Sequence, residues 1–316
     1  MRRPYKACMQ VTRPSPSATF QPLQGIRVLS LALNLPGPAA LLRCHLMGAQ
    51  CTKLEPIAPQ QEARADPMHT YSPAAYAQLH NGISILQANL KTEEGQALLH
   101  QQLAQTDVLL TSFRPGALAK LGLDWPQLHD RYPRLNMVRI FGSTAPDEIQ
   151  HAGHDLTYQA QAGLVHDGHM PASLFADMAG SLMASEAVLQ SLLLRAQSGH
   201  GHCLDTGLAQ SAQWLSLPCR WGMSTPDGDV GGAHAGYRVY ACQDGWVALA
   251  ALEPHFAQRL CQLLGMPDAS GSTSCMRAPE MHTAIAAFFQ TQSCDSIASM
   301  AAQCDIPLQA IPRRYK

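Results

Sequence analysis

The chain has 316 residues, with 22 Lys plus Arg against 23 Asp plus Glu for a net charge of −1, 46% hydrophobic residues and 14% charged ones. That apolar share, in a chain longer than the roughly 250 residues at which single cores stop growing, predicts about two globular domains and excludes disorder as the main state. A near-neutral balance supplies no long-range field to attract nucleic acid or an anionic membrane, so neither is expected as a partner.

A membrane span needs about 18 uninterrupted apolar residues, and the nearest stretch, Met178 to Leu194, is broken by Ser181, Ser185, Glu186, Gln190 and Ser191. The ten cysteines are scattered singly from Cys8 to Cys304 with no C-x-x-C pair, and the fourteen histidines form no H-E-x-x-H. This pattern predicts a soluble protein of a reducing cytoplasm, without disulfide staples and without a metal. Residues 1–22 carry Arg2, Arg3, Lys6 and Arg13, several Ser and Pro and no acid. Lacking both a helical period and an apolar run, they read as a disordered tail outside the fold.

Order begins at Ile26 to Leu31, a short β-type run, followed by the breaker Asn34-Leu35-Pro36-Gly37-Pro38 and an apolar helical stretch from Ala39 to Met47. Cys51 to Glu55 is a second strand, which makes the strand, helix, strand unit of a parallel sheet. The intervening loop lacks G-x-G-x-x-G and gives no dinucleotide fingerprint; Gly37 between two prolines marks a tight turn close to a ligand or a neighbouring backbone. The alternation continues with strands at Ile83–Gln87, Val108–Leu110 and Met137–Phe141, and with helices at Glu93–Gln105 (capped by Thr92), Pro115–Leu121 and Trp125–Arg131. A polar loop from 142 to 153 leads to a helical stretch at Leu156–Leu164 and a long helix from Met178 to Arg195, ended by Gly199. The expected large domain is 23–205. Dense Pro and Gly make 206–236 a linker, and a hairpin with an Asp244-Gly245 turn opens a smaller domain, 237–316, that continues with helices at His255–Leu264 and Met281–Gln290.

Three local patterns could carry chemistry. In Gly153-His154-Asp155, a carboxylate able to cap a helix leaves His154 free to project, although a lone His is more often structural. In Asp177-Met178-Ala179-Gly180-Ser181, a carboxylate followed by small residues opens the longest helix; the small residues let a backbone or ligand approach, and free N–H groups of the first turn could hold a developing negative charge. The plain alternative is an N-cap aspartate on a buried helix. In Leu252-Glu253-Pro254, the residue before proline is held extended, so Glu253 could project toward a cleft between domains, or simply into solvent. Arg114, just past the end of a strand, suits a phosphate, although a plain surface arginine is the commoner reading of such a position.

Taken in order, Leu23-Gln24-Gly25-Ile26-Arg27-Val28-Leu29, Pro36-Gly37-Pro38, Lys53-Leu54-Glu55-Pro56, Asn89-Leu90-Lys91-Thr92, Phe113-Arg114-Pro115-Gly116, Gly153-His154-Asp155, Ala176-Asp177 and Ala251-Leu252-Glu253-Pro254 resemble the family III CoA transferases and the α-methylacyl-CoA racemases that share their fold. The resemblance implies an α/β protein: a Rossmann-like large domain with a parallel sheet that binds coenzyme A as part of an acyl-CoA substrate, a smaller α+β domain, no permanent cofactor, and a homodimer interlocked like chain links. It assigns CoA contacts to Arg114, Pro36, Gly37 and Lys53. In the transferases the position of Asp177 is a nucleophile that forms an anhydride and then an aspartyl-CoA thioester. In the racemases it is an acid/base opposite the position of His154, which is hydrogen-bonded through that of Glu253.

The triad Asp177, His154 and Glu253 is the racemase pattern, and the expectation is therefore α-proton abstraction and return on a 2-methylacyl-CoA-like thioester. CoA transfer between carboxylic acids and a non-catalytic degenerate paralogue are the alternatives. Two departures bear on the last: Asn81-Gly82-Ile83 replaces a basic Arg-Gly-Lys-type segment, and a chain ending at Lys316 carries little of the C-terminal segment that closes the ring in relatives; Gly142-Ser143-Thr144-Ala145-Pro146 also differs from the Gly-rich loop that often follows the central strand.

Overall fold

A computed structural model describes residues 21–58, 63–266 and 269–313. The expected tail lies outside these residues except for its last two positions. The chain divides into two compact units at Leu215/Ser216.

In chain order the first unit comprises β1 (Arg27–Ser30), α1 (Pro36–Leu46), β2 (Gln50–Glu55), α2 (Pro67–Tyr71), α3 (Pro73–Leu79), β3 (Ser84–Gln87), α4 (Glu93–Leu103), β4 (Val108–Thr111), α5 (Pro115–Lys120), α6 (Trp125–Arg131), β5 (Asn136–Phe141), α7 (Asp155–Gln161), α8 (Phe175–Ser198), β6 (Cys203–Gly207) and α9 (Leu208–Leu215). The six strands are all parallel, in the order β3-β2-β1-β4-β5-β6. Both faces of this sheet are covered, and the two-residue period of the strands divides their side chains between two cores. Val28, Val108, Leu110, Val138 and Ile140 point to the side of α1, α8 and α9. Leu29, Leu109 and Met137 point to the side of α4, α5 and α6 with Leu99, Leu103, Leu118 and Leu128.

Helix ends follow local chemistry. Thr92 accepts the N–H of Gly95 at 3.2 Å, as its place before Glu93 predicted, and Asp124 does the same for Gln127 at 3.1 Å. α8 stops where Gly199 adopts φ 81°, a left-handed conformation that glycine takes without a Cβ penalty. At its other end α8 begins at Phe175, so Asp177 lies within the first turn and is not the N-cap residue. Gly180 has a packing role, since a Cβ there would stand 2.3 Å from Leu208 Cδ2 of α9. The small residues after Asp177 admit a neighbouring helix.

The second unit comprises α10 (Leu217–Arg220), β7 (Tyr237–Cys242), β8 (Gly245–Ala250), α11 (Pro254–Leu263), α12 (Thr273–Met276), α13 (Pro279–Gln290), α14 (Cys294–Cys304) and β9 (Leu308–Pro312). The antiparallel sheet β7-β8-β9 packs Tyr240, Val247 and Leu249 against Leu260, Ile285, Phe289 and Ile297. The division of the chain places α9 with the first unit and α10 with the second, where the sequence had suggested one linker over 206–236.

Candidate active site

The strand order reverses between β1 and β4, and loops leaving the carboxyl ends of such a pair diverge to open a crevice. A cavity of about 290 Å³ occupies this place. It is lined by Asn34 and Pro36 after β1, Ser112 and Arg114 after β4, Gly142 after β5, and His151, His154, Tyr158 and Asp177 around the starts of α7 and α8. Residues 120 and more apart in sequence thus meet at one edge of the sheet. Of the residues singled out from sequence, Asp177, His154, Arg114 and Pro36 come together here.

Asp177 is held from behind. Asp155, the first residue of α7 and buried, accepts the backbone N–H of Asp177 at 3.0 Å, while its other carboxylate oxygen receives the side-chain amide of Gln159. That amide also donates to the carbonyl of Ser173 at 3.0 Å, which ties the loop before α8 to α7. Asp155 therefore caps the first turn of α8 from a neighbouring helix, and the N–H of Asp177 is not available to a ligand anion. Burial first, and the nearby Asp155 charge second, push the carboxyl of Asp177 up to about 7. It can carry or lack a proton at neutral pH.

His154 occupies the N-cap position of α7, where its backbone N–H is met by the Thr157 hydroxyl at 3.1 Å, and its exposed ring borders the cavity. Arg114 caps nothing through its side chain; it starts α5 in an extended conformation and is exposed at the cavity wall. Glu253 belongs to the second unit. It has the extended backbone expected before proline (φ −69°, ψ 145°), starts α11, and is exposed.

Two expected CoA contacts stand elsewhere. A Cβ on Gly37 would lie 2.2 Å from the Cβ of Ala32, so that glycine serves the turn and does not border the cavity. Lys53 is 0% exposed in β2. Its ammonium pairs with Glu55 at 3.0 Å and with Asp66, and lies 3.0 Å from His80 Nε2. Because the His80 Nδ1 faces the Tyr76 carbonyl at 2.7 Å it must be the protonated nitrogen, leaving Nε2 to accept from Lys53. Burial and the Lys53 charge hold His80 below its ordinary range and keep it neutral. Lys53 is consequently a buried internal cation and offers nothing to a phosphate. Its partner Asp66 accepts the N–H of Asn34 at 3.0 Å, where Asn34 has φ 64° and borders the cavity, so the buried charges brace the cavity floor.

A second cavity of about 500 Å³ lies along the same strand ends, lined by Leu54, Glu55, Ala88, Asn89, Leu90, Lys91 and Phe113. Phe113 and Arg114, adjacent in sequence, thus face different cavities. Asn34, Tyr158, His151 and the bracing role of Asp155 were not identified from sequence. A signal for Tyr158 existed, because it stands four residues after His154 and so on the same helical face.

The sequence profile of CoA-transferase family III matches residues 23–314. The chain belongs to this family. The family III chain is 32% identical over 268 residues to a succinate–glutarate CoA-transferase of Agrobacterium fabrum, covering 78% of this chain and 67% of that protein. It is 28% identical over 261 residues to the human α-methylacyl-CoA racemase, covering 77% and 65% respectively. It thus spans about two thirds of the length of these relatives. Among solved structures, a hypothetical protein from Mycobacterium tuberculosis superposes with a TM-score of 0.77 at 22% identity, over 93% of this chain and 85% of the other. A CAIB/BAIF family protein from Brucella suis gives 0.73 at 23% identity over the same shares. The family III chain therefore has the fold of these proteins, with a six-stranded parallel sheet and a small antiparallel one.

Proposed function

We propose that the protein removes and returns the α-proton of a 2-methylacyl-CoA-like thioester, with Asp177 and His154 as the two acid/base groups. The observation that carries this reading is the Asp177 carboxyl, pushed up to about 7 in a cavity it shares with His154. Racemisation needs one group that accepts the α-proton and another, protonated, that delivers one to the opposite face. A carboxyl poised near neutrality serves in either direction. In one direction the His154 imidazole takes the proton, the C–H electron pair moves onto the thioester as an enolate, and the Asp177 acid returns a proton to carbon. In the other direction the roles exchange.

The large Rossmann-like unit binds CoA on this reading, with Arg114 and Pro36 near the thioester. The 500 Å³ cavity beside it, with one cation, Lys91, and mostly apolar walls, suits the nucleotide end of the cofactor portion. A second copy of the chain covers the exposed apolar side chains Phe175, Met178 and Leu182 on α8.

A second reading is supported by the similarity to a succinate–glutarate CoA-transferase. There the ionised Asp177 carboxylate attacks the thioester carbonyl and expels CoA thiolate; the thiolate then attacks the resulting anhydride, releasing the acid and leaving an aspartyl-CoA thioester. Deuterium incorporation from solvent at the α-carbon tests the first reading, and hydroxylamine trapping at Asp177 tests the second.

A further inference from the structure

Tyr158 lines the cavity and carries a hydroxyl that no described residue hydrogen-bonds. Its ring is buried, 8% exposed, yet the residue lines the same cavity as Asp177, His154 and Arg114. The backbone has been cleared around its hydroxyl. A Cβ at Gly142 would lie 2.1 Å from Oη, and one at Gly153 would lie 2.5 Å from it. Both glycines border the cavity, one after β5 and the other just before α7. A side chain at either position would force the phenol to shift, so the two glycines leave the room that Oη occupies. Gln159, next on the helix, fastens α7 to the loop before α8. The phenol therefore stands on a braced element.

Among the described residues no side chain or backbone group hydrogen-bonds the Tyr158 hydroxyl. A tyrosine O–H in a largely buried place ordinarily finds a partner, and one left open toward a cavity is available to a ligand oxygen. Burial and the Asp177 charge push the phenol up, with the Arg114 charge acting against them. The group thus stays a neutral donor at neutral pH.

We propose that Tyr158 donates a hydrogen bond to the carbonyl oxygen of the bound thioester and stabilises the negative charge that develops there. This rests on the reading that the cavity takes an acyl-CoA. It does not depend on which reaction follows. Loss of the α-proton puts charge on that oxygen as an enolate, and attack by Asp177 puts charge on it as a tetrahedral oxyanion. The proton stays on Tyr158 in both cases. Removing one such preorganised donor from an enzyme lowers kcat by about 10²–10³.

The test compares binding of a 2-methylacyl-CoA with that of its thioether analogue, in which CH2 replaces the carbonyl, to wild type and to Tyr158→Phe, by isothermal calorimetry. Thermal melts would confirm that both proteins are folded. The expected result is that the wild type prefers the thioester about 5- to 10-fold, which is the strength of one neutral hydrogen bond, while Tyr158→Phe binds both equally. In whichever reaction the wild type catalyses, kcat falls about 10²–10³-fold in the variant, while KM rises by no more than about the 5- to 10-fold lost in binding. If Tyr158→Phe retains the preference for the thioester, or retains kcat, the role of Tyr158 is overturned while the acyl-CoA reading stands. If the wild type binds neither compound, the acyl-CoA reading fails and this inference fails with it.

Discussion

The carboxylate of Asp155 accepts the backbone N–H of Asp177 at 3.0 Å, so the first residue of one helix fixes the first turn of another. It also contributes to the elevated proton affinity of Asp177. Replacing Asp155 by Asn removes the charge while keeping a side-chain carbonyl for the same N–H. The limb of the pH–rate profile that belongs to Asp177 should then move to lower pH, and the rate at neutral pH should fall because less of the carboxyl carries the proton it returns to carbon. An unmoved limb would show that burial alone sets the proton affinity of Asp177.

The same elevation has a consequence for stability. A carboxyl that ionises near 7 when folded, and near its ordinary 3.8 when unfolded, favours the folded state while it holds its proton. Its cost is absent below about pH 3.8, grows as pH rises through the interval, and is complete above about 7. Asp177→Asn should therefore be more stable than wild type at pH 8, by about 1–2 kcal/mol once partial exposure of the group is allowed for, and equal to it near pH 4. Thermal melts at the two pH values check this.

Lys53 gives a contrasting case. Replacing it by Met leaves the carboxylates of Glu55 and Asp66 buried without their cation, which costs about 3–5 kcal/mol in comparable pairs. The melting temperature should drop by roughly 10 °C or more. A variant that melted like wild type but had lost CoA binding would restore the phosphate role expected from sequence.

The fold was legible from sequence where elements are buried on a regular period. Strands such as Val108–Thr111 read as continuous apolar runs because helices cover both faces of the sheet. β6 and β9 were missed for a matching reason. Cys203–Gly207 contains Asp205 and a glycine at the sheet edge, where Asp205 pairs with Arg139 of β5 at 2.7 Å, and Leu308–Pro312 is a mostly exposed edge strand containing proline. At the site, Asp177, His154 and Arg114 stood out because a charged or titratable group at a helix start or strand end is locally visible. Asn34 and Tyr158 did not, since the crevice between β1 and β4 that gives them meaning is a property of strand order. Lys53 reads as a strand-end cation because two of the groups that enclose it, Asp66 and His80, are 13 and 27 residues away and nothing local marks the cluster as buried.

Phe175, Met178 and Leu182 recur at helical spacing on α8 and are each 40% or more exposed. If a second copy of the chain covers them, Leu182→Glu should shift the protein from dimer to monomer in sedimentation velocity at micromolar concentration. A wild-type protein that sediments as a monomer would contradict the proposed pairing.

The measurement that bears most directly on the proposed chemistry is α-proton exchange with a 2-methylacyl-CoA in deuterium oxide, followed by mass spectrometry of the thioester. The account predicts one deuterium at the α-carbon, with label lost by several orders of magnitude in both Asp177→Asn and His154→Ala. Absence of label in the wild type, together with a hydroxylamine-trapped adduct at Asp177, would contradict it and assign the protein to CoA transfer.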